Sequence, residues 1–397
     1  MTAERCSVEA YLAELLVGAR PLPAESIPVC DSLGRVVAGR IAAAQPVPLF
    51  DNSAMDGYAV RTEDVVGTTP GHPVTLRVVG SAIAGAPTPK ALAAGEAVRI
   101  MTGAPLPAGA DRVIPVESSV SGCFDDEPVV RLWTCERRHI RRAAEDIPTG
   151  TPLVDAGRAL TARDIGLLAA TGHSSVRVHR RARVAIVSTG DELSGALAGG
   201  IPDSNAAYLG AAVQSVGAEV VIRLTAPDDR GMLEAVLDEA SRHADLIVSS
   251  GGLGAGSHDL VRRAITDGRA PGDAGRFASV AMKPGRPQAH GRWRGAPWIA
   301  LPGNPTAVLV SFEAFVRPVL DRLQGRAVMG DSDGRIASPS LPGAPGTQRF
   351  VPLTLAASSV DASHSLLAMF GAPAIGVVAA ASERVAAGDT IHAFEPV

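Results

Sequence analysis

The chain has 397 residues, with 37 Lys or Arg against 41 Asp or Glu and a formal net charge of −4. That length exceeds one compact core and predicts several domains, and the mixed charge without a basic stripe excludes the electrostatic footprint of a nucleic-acid binder. No apolar run is long enough to span a bilayer, Met1-Thr2-Ala3-Glu4-Arg5-Cys6 lacks signal-peptide architecture, and Cys6, Cys30, Cys123 and Cys135 have no C-x-x-C spacing for structural zinc, so a reduced, cytoplasmic protein is expected.

In chain order, Val8, Tyr11, Leu12, Leu15 and Leu16 recur at helical spacing and predict a helix over 7–19 with Ser7 as N-cap. Residues 26–50 read as extended, punctuated by Pro28, Gly34 and Gly39. Over 51–140, short alternating runs such as Val74-Thr75-Leu76-Arg77-Val78-Val79 stand between Gly and Pro, the pattern of a small β domain. A helix over 162–170 closes at Thr171-Gly172. From 183 to 324 strand and helix alternate, with strands at 184–187, 219–224, 245–249 and 297–301 and helices at 204–216, 229–242, 258–266 and 305–322. That alternation predicts a doubly wound parallel sheet. Residues 325–397 return to short strands. The expected fold class is α/β multidomain. Its parts are an N-terminal extended and helical domain (1–50 plus 141–180), an inserted small β domain (51–140), an α/β domain (181–325) and a C-terminal β domain (326–397).

The most constrained segment is Asp51-Asn52-Ser53-Ala54-Met55-Asp56-Gly57-Tyr58-Ala59-Val60. Singly, Asp51 and Asp56 read as turn formers before a strand. As a block with Asn52, Ser53 and Gly57 they read as a site for a cation and a polar ligand. Downstream, three apolar strands end in small polar residues and glycine: Ser188-Thr189-Gly190-Asp191-Glu192, Ser249-Ser250-Gly251-Gly252 and Leu301-Pro302-Gly303-Asn304. Open α/β sheets bind ligands at the carboxyl ends of their strands. Glycine turns and helix N-termini there offer N–H groups to anions. A phosphorylated ligand is expected, although the loop after Ser250 has neither P-loop nor G-x-G-x-x-G spacing.

Other candidates carry two readings each. Thr102 is a turn residue or a hydroxyl for phosphate or metal-bound water. Glu145-Asp146, beside Arg141-Arg142, is a surface ion pair or an acidic contribution to a Mg²⁺ site. One of Asp228 and Asp229 caps the helix that follows, leaving the other to face ligand. Lys283-Pro284-Gly285-Arg286-Pro287 is a solvated basic loop or a proline-stiffened turn that sets two cations three residues apart to hold an anion.

Together these blocks resemble the molybdopterin molybdenumtransferase family, also called the MoeA / gephyrin E-domain family. The matching segments are FDNSAMDGYAVR (50–61), IMTGAPLPAGAD (100–111), RRAAEDI (141–147), VAIVSTGDEL (184–193), SSGG (249–252), MKPGRP (282–287) and LPGNP (301–305). They occur in family order and span nearly the whole chain. The resemblance implies a molybdenum insertase that converts adenylyl-molybdopterin and molybdate to molybdenum cofactor and AMP with Mg²⁺. It implies a homodimer with the active site between subunits, a pterin substrate, a molybdopterin-binding α/β domain, and transient contact with the upstream adenylyltransferase. By position it implies catalytic roles for Asp56, Asp146, Asp228 and Asp259, with Asp56, Asp228 and Asp259 as metal ligands. Substrate contacts fall on Thr102, Thr189, Gly190, Glu192, Ser250, Gly251, Gly252, Lys283, Arg286, Pro302 and Asn304.

The sequence departs from the family pattern at the oxyanion side. Gly254 stands where a hydroxyl is usual, Ser257 where a carboxylate is usual, and Ala307 where a serine is usual. Arg286 replaces a lysine, keeping charge but changing hydration and reach. The C-terminal serine-glycine motif survives as Ser363-His364-Ser365-Leu366-Leu367. The retained carboxylates favour an active insertase. The missing hydroxyls favour a divergent paralogue that binds molybdopterin without efficient metal insertion. A nucleotide-dependent oxidoreductase is disfavoured, because no strand leads into G-x-G-x-x-G.

Overall fold

The computed structural model describes residues 5–85, 91–193, 200–254, 259–268, 272–273, 275–327, 336–337, 341–353, 365–386 and 390–396. Ser257, Ser363 and His364 lie outside them.

The centre of the molecule is a seven-stranded sheet. Across it run Arg5–Cys6, Arg276–Val280, Pro287–Trp293, Ala296–Leu301, Leu246–Ser250, Arg183–Thr189 and Glu219–Ala226. The strands Arg183–Thr189, Leu246–Ser250 and Ala296–Leu301 are almost wholly buried, as expected of strands covered on both faces. One face packs on the helices Ser204–Ser215, Pro305–Ser311 and Arg317–Leu323 through Leu209, Val213, Val308 and Leu320. The other packs on Arg230–His243 and Leu260–Asp267 through Leu233, Leu237, Val261 and Ile265. Burying both faces of a β-branched sheet is the main driving force for this layer arrangement. The chain passes from Arg183–Thr189 to Glu219–Ala226 on one side, then returns to Leu246–Ser250 on the other. The strand order therefore reverses between Thr189 and Ser250, where the crevice of a doubly wound sheet opens.

Two expectations need correction. The sheet is not wholly parallel: Pro287–Trp293 runs against both neighbours. This strand and Arg276–Val280 were not foreseen, because the glycine- and arginine-rich stretch around them has weak alternation. Their connection brings Lys283 to Arg286 to the same edge of the sheet as the other strand ends. The first helix, Val8–Val17, also does not belong with the 24–50 segment. Arg5–Cys6 pairs in parallel with Arg276–Val280, and Tyr11 is fully buried against Phe315 and His290. A helix with one large aromatic and few flanking signals can dock wherever a matching apolar face exists.

Outside the central sheet, Ala24–Pro28 pairs with Ser175–His179 and Ile41–Ala42 with Pro152–Val154. The helix Ala162–Ala170 opens on a capping box formed by Thr161 and Asp164. Within the insertion, Arg112–Pro115, Gly57–Val60, Glu96–Ile100, Val74–Ala82 and Val129–Leu132 form a five-stranded sheet. Gly57 is required there: a Cβ would lie 2.0 Å from the Ile114 carbonyl oxygen. Met282–Lys283, Gln348–Leu353, Ala374–Val378, Thr390–Phe394 and Ile336–Ala337 form a second five-stranded sheet.

Hydrogen bonds between the 22–181 segment and the α/β domain gather at the amino ends of the strands. Arg180 makes a two-pronged contact of 2.6 and 2.7 Å to Asp245, just before Leu246–Ser250. Arg181 donates to the Gly217 carbonyl, the Leu22 amide to the Leu323 carbonyl, and Arg326 to the Gly34 carbonyl. The segment is thus anchored opposite the carboxyl-end crevice.

Candidate functional site

At the crevice, three strand ends touch. Gly251 has φ +98°, and a Cβ there would sit 2.6 Å from the Thr189 carbonyl oxygen and 2.7 Å from its hydroxyl. Gly303 lies against Gly251. Glycine is what lets these backbones close to contact, and the Gly251 amide donates to the Leu301 carbonyl at 3.1 Å. Gly190, at φ +144°, is crowded by the Glu192 carboxylate, and its N–H is held by the Ala226 carbonyl. Beside this cradle, the hydroxyls of Ser188 and Ser250 are buried and have no hydrogen-bond partner among the described residues. Buried polar atoms are nearly always paired, so two orphaned hydroxyls at strand ends mark a place for a polar ligand. Pro302, which follows the third strand end, is buried.

The surrounding side chains divide their roles. Asp229 caps Arg230–His243, accepting from the Met232 amide at 2.8 Å. Asp191 accepts from the Asp228 amide at 3.0 Å, fixing the turn that carries Asp228. Asn304 was expected to contact substrate. Its carbonyl oxygen is instead spent as the N-cap of Pro305–Ser311, accepting from the Thr306 amide and hydroxyl and the Ala307 amide; the amide nitrogen is the part that the cap does not use. Asn205, which sequence reasoning missed, donates to the Gly303 carbonyl at 2.8 Å, and its own carbonyl oxygen is buried without a partner among the described residues. Its only sequence signal was a polar side chain in the first turn of a helix following a strand end. Asp259 accepts from the Gly254 amide at 3.0 Å through one oxygen, while the other is buried and has no partner among the described residues. An uncompensated buried carboxylate oxygen is costly and suits a hard cation.

The acidic block forms a second cluster. Ser53 pairs with Ile140 and Asn52 with Arg141 across two short strands, and the Leu106 amide donates to the Asp51 carbonyl. Asp51 accepts from the Ala143 amide at 2.8 Å and from Arg142; the backbone bond first and the arginine second hold its carboxyl below the usual range. Asp51 is thus a clamp on the 141–147 segment that carries the exposed Asp146, whose amide donates to the Val47 carbonyl. Glu145 accepts from the Arg142 amide and pairs with Arg141 on the surface. Asp56 accepts from both the amide and the hydroxyl of Thr102, each at 2.7 Å. These bonds, the backbone one foremost, keep its exposed carboxyl ionised below the ordinary range. Thr102, read from sequence as a turn residue or as a hydroxyl for phosphate or metal-bound water, donates its hydroxyl to Asp56.

Asp56, Asp228 and Asp259 were expected to share a metal ion. Among the described residues, no group of three or more His, Cys, Asp or Glu side chains is placed to hold one. The resemblance puts that site between subunits, so one chain alone neither forms nor refutes it. Among the described residues, no helix is long and apolar enough to cross a membrane.

Residues 6–172 match the family model for the MoeA N-terminal region (domain I and II). Residues 185–322 match that for a probable molybdopterin binding domain. Over 320 residues the chain is 42% identical to molybdopterin molybdenumtransferase 2 of Mycobacterium tuberculosis, covering 79% of this chain and 78% of the relative. The chain belongs to the molybdopterin molybdenumtransferase family. A Nostoc relative is 38% identical over 302 residues, 74% of this chain and 68% of that one. In three dimensions, the chain is similar to the molybdopterin biosynthesis MoeA protein of Pyrococcus, with a TM-score of 0.82, 29% identity and 98% of each chain covered.

Proposed function

We propose that the chain is a molybdenum insertase that converts adenylyl-molybdopterin and molybdate to molybdenum cofactor and AMP, with Mg²⁺, in the cytoplasm. The observation that carries this reading is the crevice itself. Glycine-lined strand ends, the Ser188 and Ser250 hydroxyls without partners among the described residues, and the half-used Asp259 carboxylate belong to neighbouring strand ends and the loop that follows one of them. Backbone N–H groups and these hydroxyls suit the phosphates and pterin of an adenylate. Lys283 and Arg286, at the same edge of the sheet, supply positive charge for molybdate or phosphate.

The unpartnered Asp259 oxygen fits a divalent cation, with Asp228 and Glu192 near the neighbouring strand ends. The chemistry a cation supplies there is neutralisation of charge on the pyrophosphate bridge. Asp56, already ionised and oriented by Thr102, and Asp146 complete the acidic set from a second copy of the chain. Leu49, Phe50 and Met55 flank Asp56 and are 56%, 45% and 37% exposed, apolar surface that a second copy would cover. The proposal thus includes a homodimer. It also keeps the four-domain division, with residues 5–17 moved to the α/β domain, and contact with the upstream adenylyltransferase.

The test is AMP release by purified protein from adenylyl-molybdopterin, with and without Mg²⁺ and molybdate. Release dependent on both is expected; tight pterin binding without release would sink the insertase reading. Asp56→Asn should lower turnover about 100-fold or more while changing pterin affinity little, the size of effect typical for a group acting in the transition state. Equal loss of both would remove Asp56 from the reaction.

A further inference from the structure

The turn Lys283-Pro284-Gly285-Arg286 is fastened from three directions. At its base the Val280 amide donates to the Arg286 carbonyl at 2.8 Å. On one flank Met282 and Lys283 pair with Gln348 and Arg349 of the C-terminal sheet. Underneath lies Gln288, the second residue of the antiparallel strand, with no exposed surface. Its amide nitrogen donates to the Gly285 carbonyl at 2.8 Å and to the Ser311 hydroxyl at 2.6 Å. The Gly285 carbonyl can only accept, so the –NH₂ end of Gln288 must face it.

That orientation has a consequence. The Gln288 carbonyl oxygen is buried without a partner among the described residues. A leucine or methionine of similar volume would avoid that cost, so packing alone does not call for glutamine here. The two N–H bonds are what distinguish it. Ser311, also fully buried, ends the helix Pro305–Ser311 that starts at the Asn304 cap beside the crevice. Gly285 has φ +99°, and a Cβ there would lie 3.1 Å from the Ser311 hydroxyl and 3.1 Å from the Met282 methyl. The apex of the turn therefore rests directly on the helix.

We propose that Gln288 is a positioning residue, setting the placement of Lys283 and Arg286 relative to the crevice by tying the turn to the Pro305–Ser311 helix. The role rests on the insertase reading, since these two cations act there on molybdate or phosphate. It acts through the turn and touches no substrate. Displacements near 1 Å are enough to cost large factors in rate, and one glutamine amide spans both elements.

The experiment is a double-mutant cycle with a structural readout. Gln288→Met should lower kcat/KM for AMP release by about 10- to 100-fold with Lys283 intact, and by less than about twofold in a Lys283→Ala background, because coupled residues are not additive. Ser311→Ala, a milder cut, should show the same coupling with a loss of about threefold. Equal losses in both backgrounds would overturn the proposal, leaving only general destabilisation. Amide hydrogen exchange gives an independent reading: Gln288→Met should speed exchange at 282–286 at least about tenfold without changing 246–250. Unchanged exchange at the turn also overturns the proposal. If the unaltered protein releases no AMP, the insertase reading fails by itself, and hydrogen exchange still decides whether Gln288 holds the turn.

Discussion

The sheet-end crevice and the acidic block around Asp56 are opposite kinds of site. In the crevice, polar atoms are buried: Ser188, Ser250, Asn205 and Asp259 each keep at least one group with no partner among the described residues. In the acidic block, the carboxylates are more exposed and already bonded, Asp51 to Ala143 and Arg142, Asp56 to Thr102. The first region gains on ligand binding, because the ligand pairs atoms whose burial was costly. The second gains little from contact as such. Its value lies in presenting a charge that does not have to be deprotonated or reoriented. On the proposed reading, the first is the binding half and the second the charge-presenting half of a site that a second copy completes.

The sharpest break of this comparison is at Gly251. Gly251→Ala forces a Cβ to 2.6 Å from backbone at φ +98°, which should cost roughly 3 kcal/mol from overpacking and left-handed strain together. Urea unfolding should show the lower midpoint, and pterin binding should fall with it. Near-native stability would mean that the strand ends are not in contact.

A middle-sized effect belongs to Thr102. Thr102→Val removes the hydroxyl donor and keeps the backbone one. Turnover at neutral pH should fall by about tenfold, one charge-assisted hydrogen bond partly screened by solvent. The sign of the pH effect follows from the depressed carboxyl of Asp56. Its stabilisation is present above the unfolded carboxyl value of about 3.9 and is lost as pH falls through the lower folded value. The substitution should therefore move the acid edge of the activity profile upward. An unmoved edge would separate Asp56 from the rate.

The smallest effect is at Ala144, which holds φ +61° between Asp51's partners and Asp146. Ala144→Gly should raise stability by roughly 0.5–1 kcal/mol by relieving the left-handed conformation, seen as a higher denaturant midpoint. A lower midpoint would mean that the unfolded-state entropy of glycine outweighs the strain.

Much of this was legible in the residues. The strand cores, the glycine-rich strand ends, a helix cap at Asp228 or Asp229 and the extent of most helices follow from periodicity and local capping chemistry. The partners of Asp56 and Asp51 were not, because Thr102 is 46 positions away and Ala143 is 92. The same holds for Asn304, where the sequence suits a ligand contact and a helix cap equally, and geometry chose the cap.

What the sequence determined alone was local: which segments bury both faces, where glycine must stand, and which polar residues end strands. Tertiary structure decided the rest. It reversed one strand so that the turn from Lys283 to Arg286 falls at the carboxyl end of the sheet, docked the first helix on the central sheet, and tied the segment that precedes Arg183–Thr189 to the amino ends of the strands. The reason is that local preferences are set by neighbouring backbone and side-chain sterics, whereas the meeting of distant segments is set by which apolar faces and buried polar groups can satisfy one another at once.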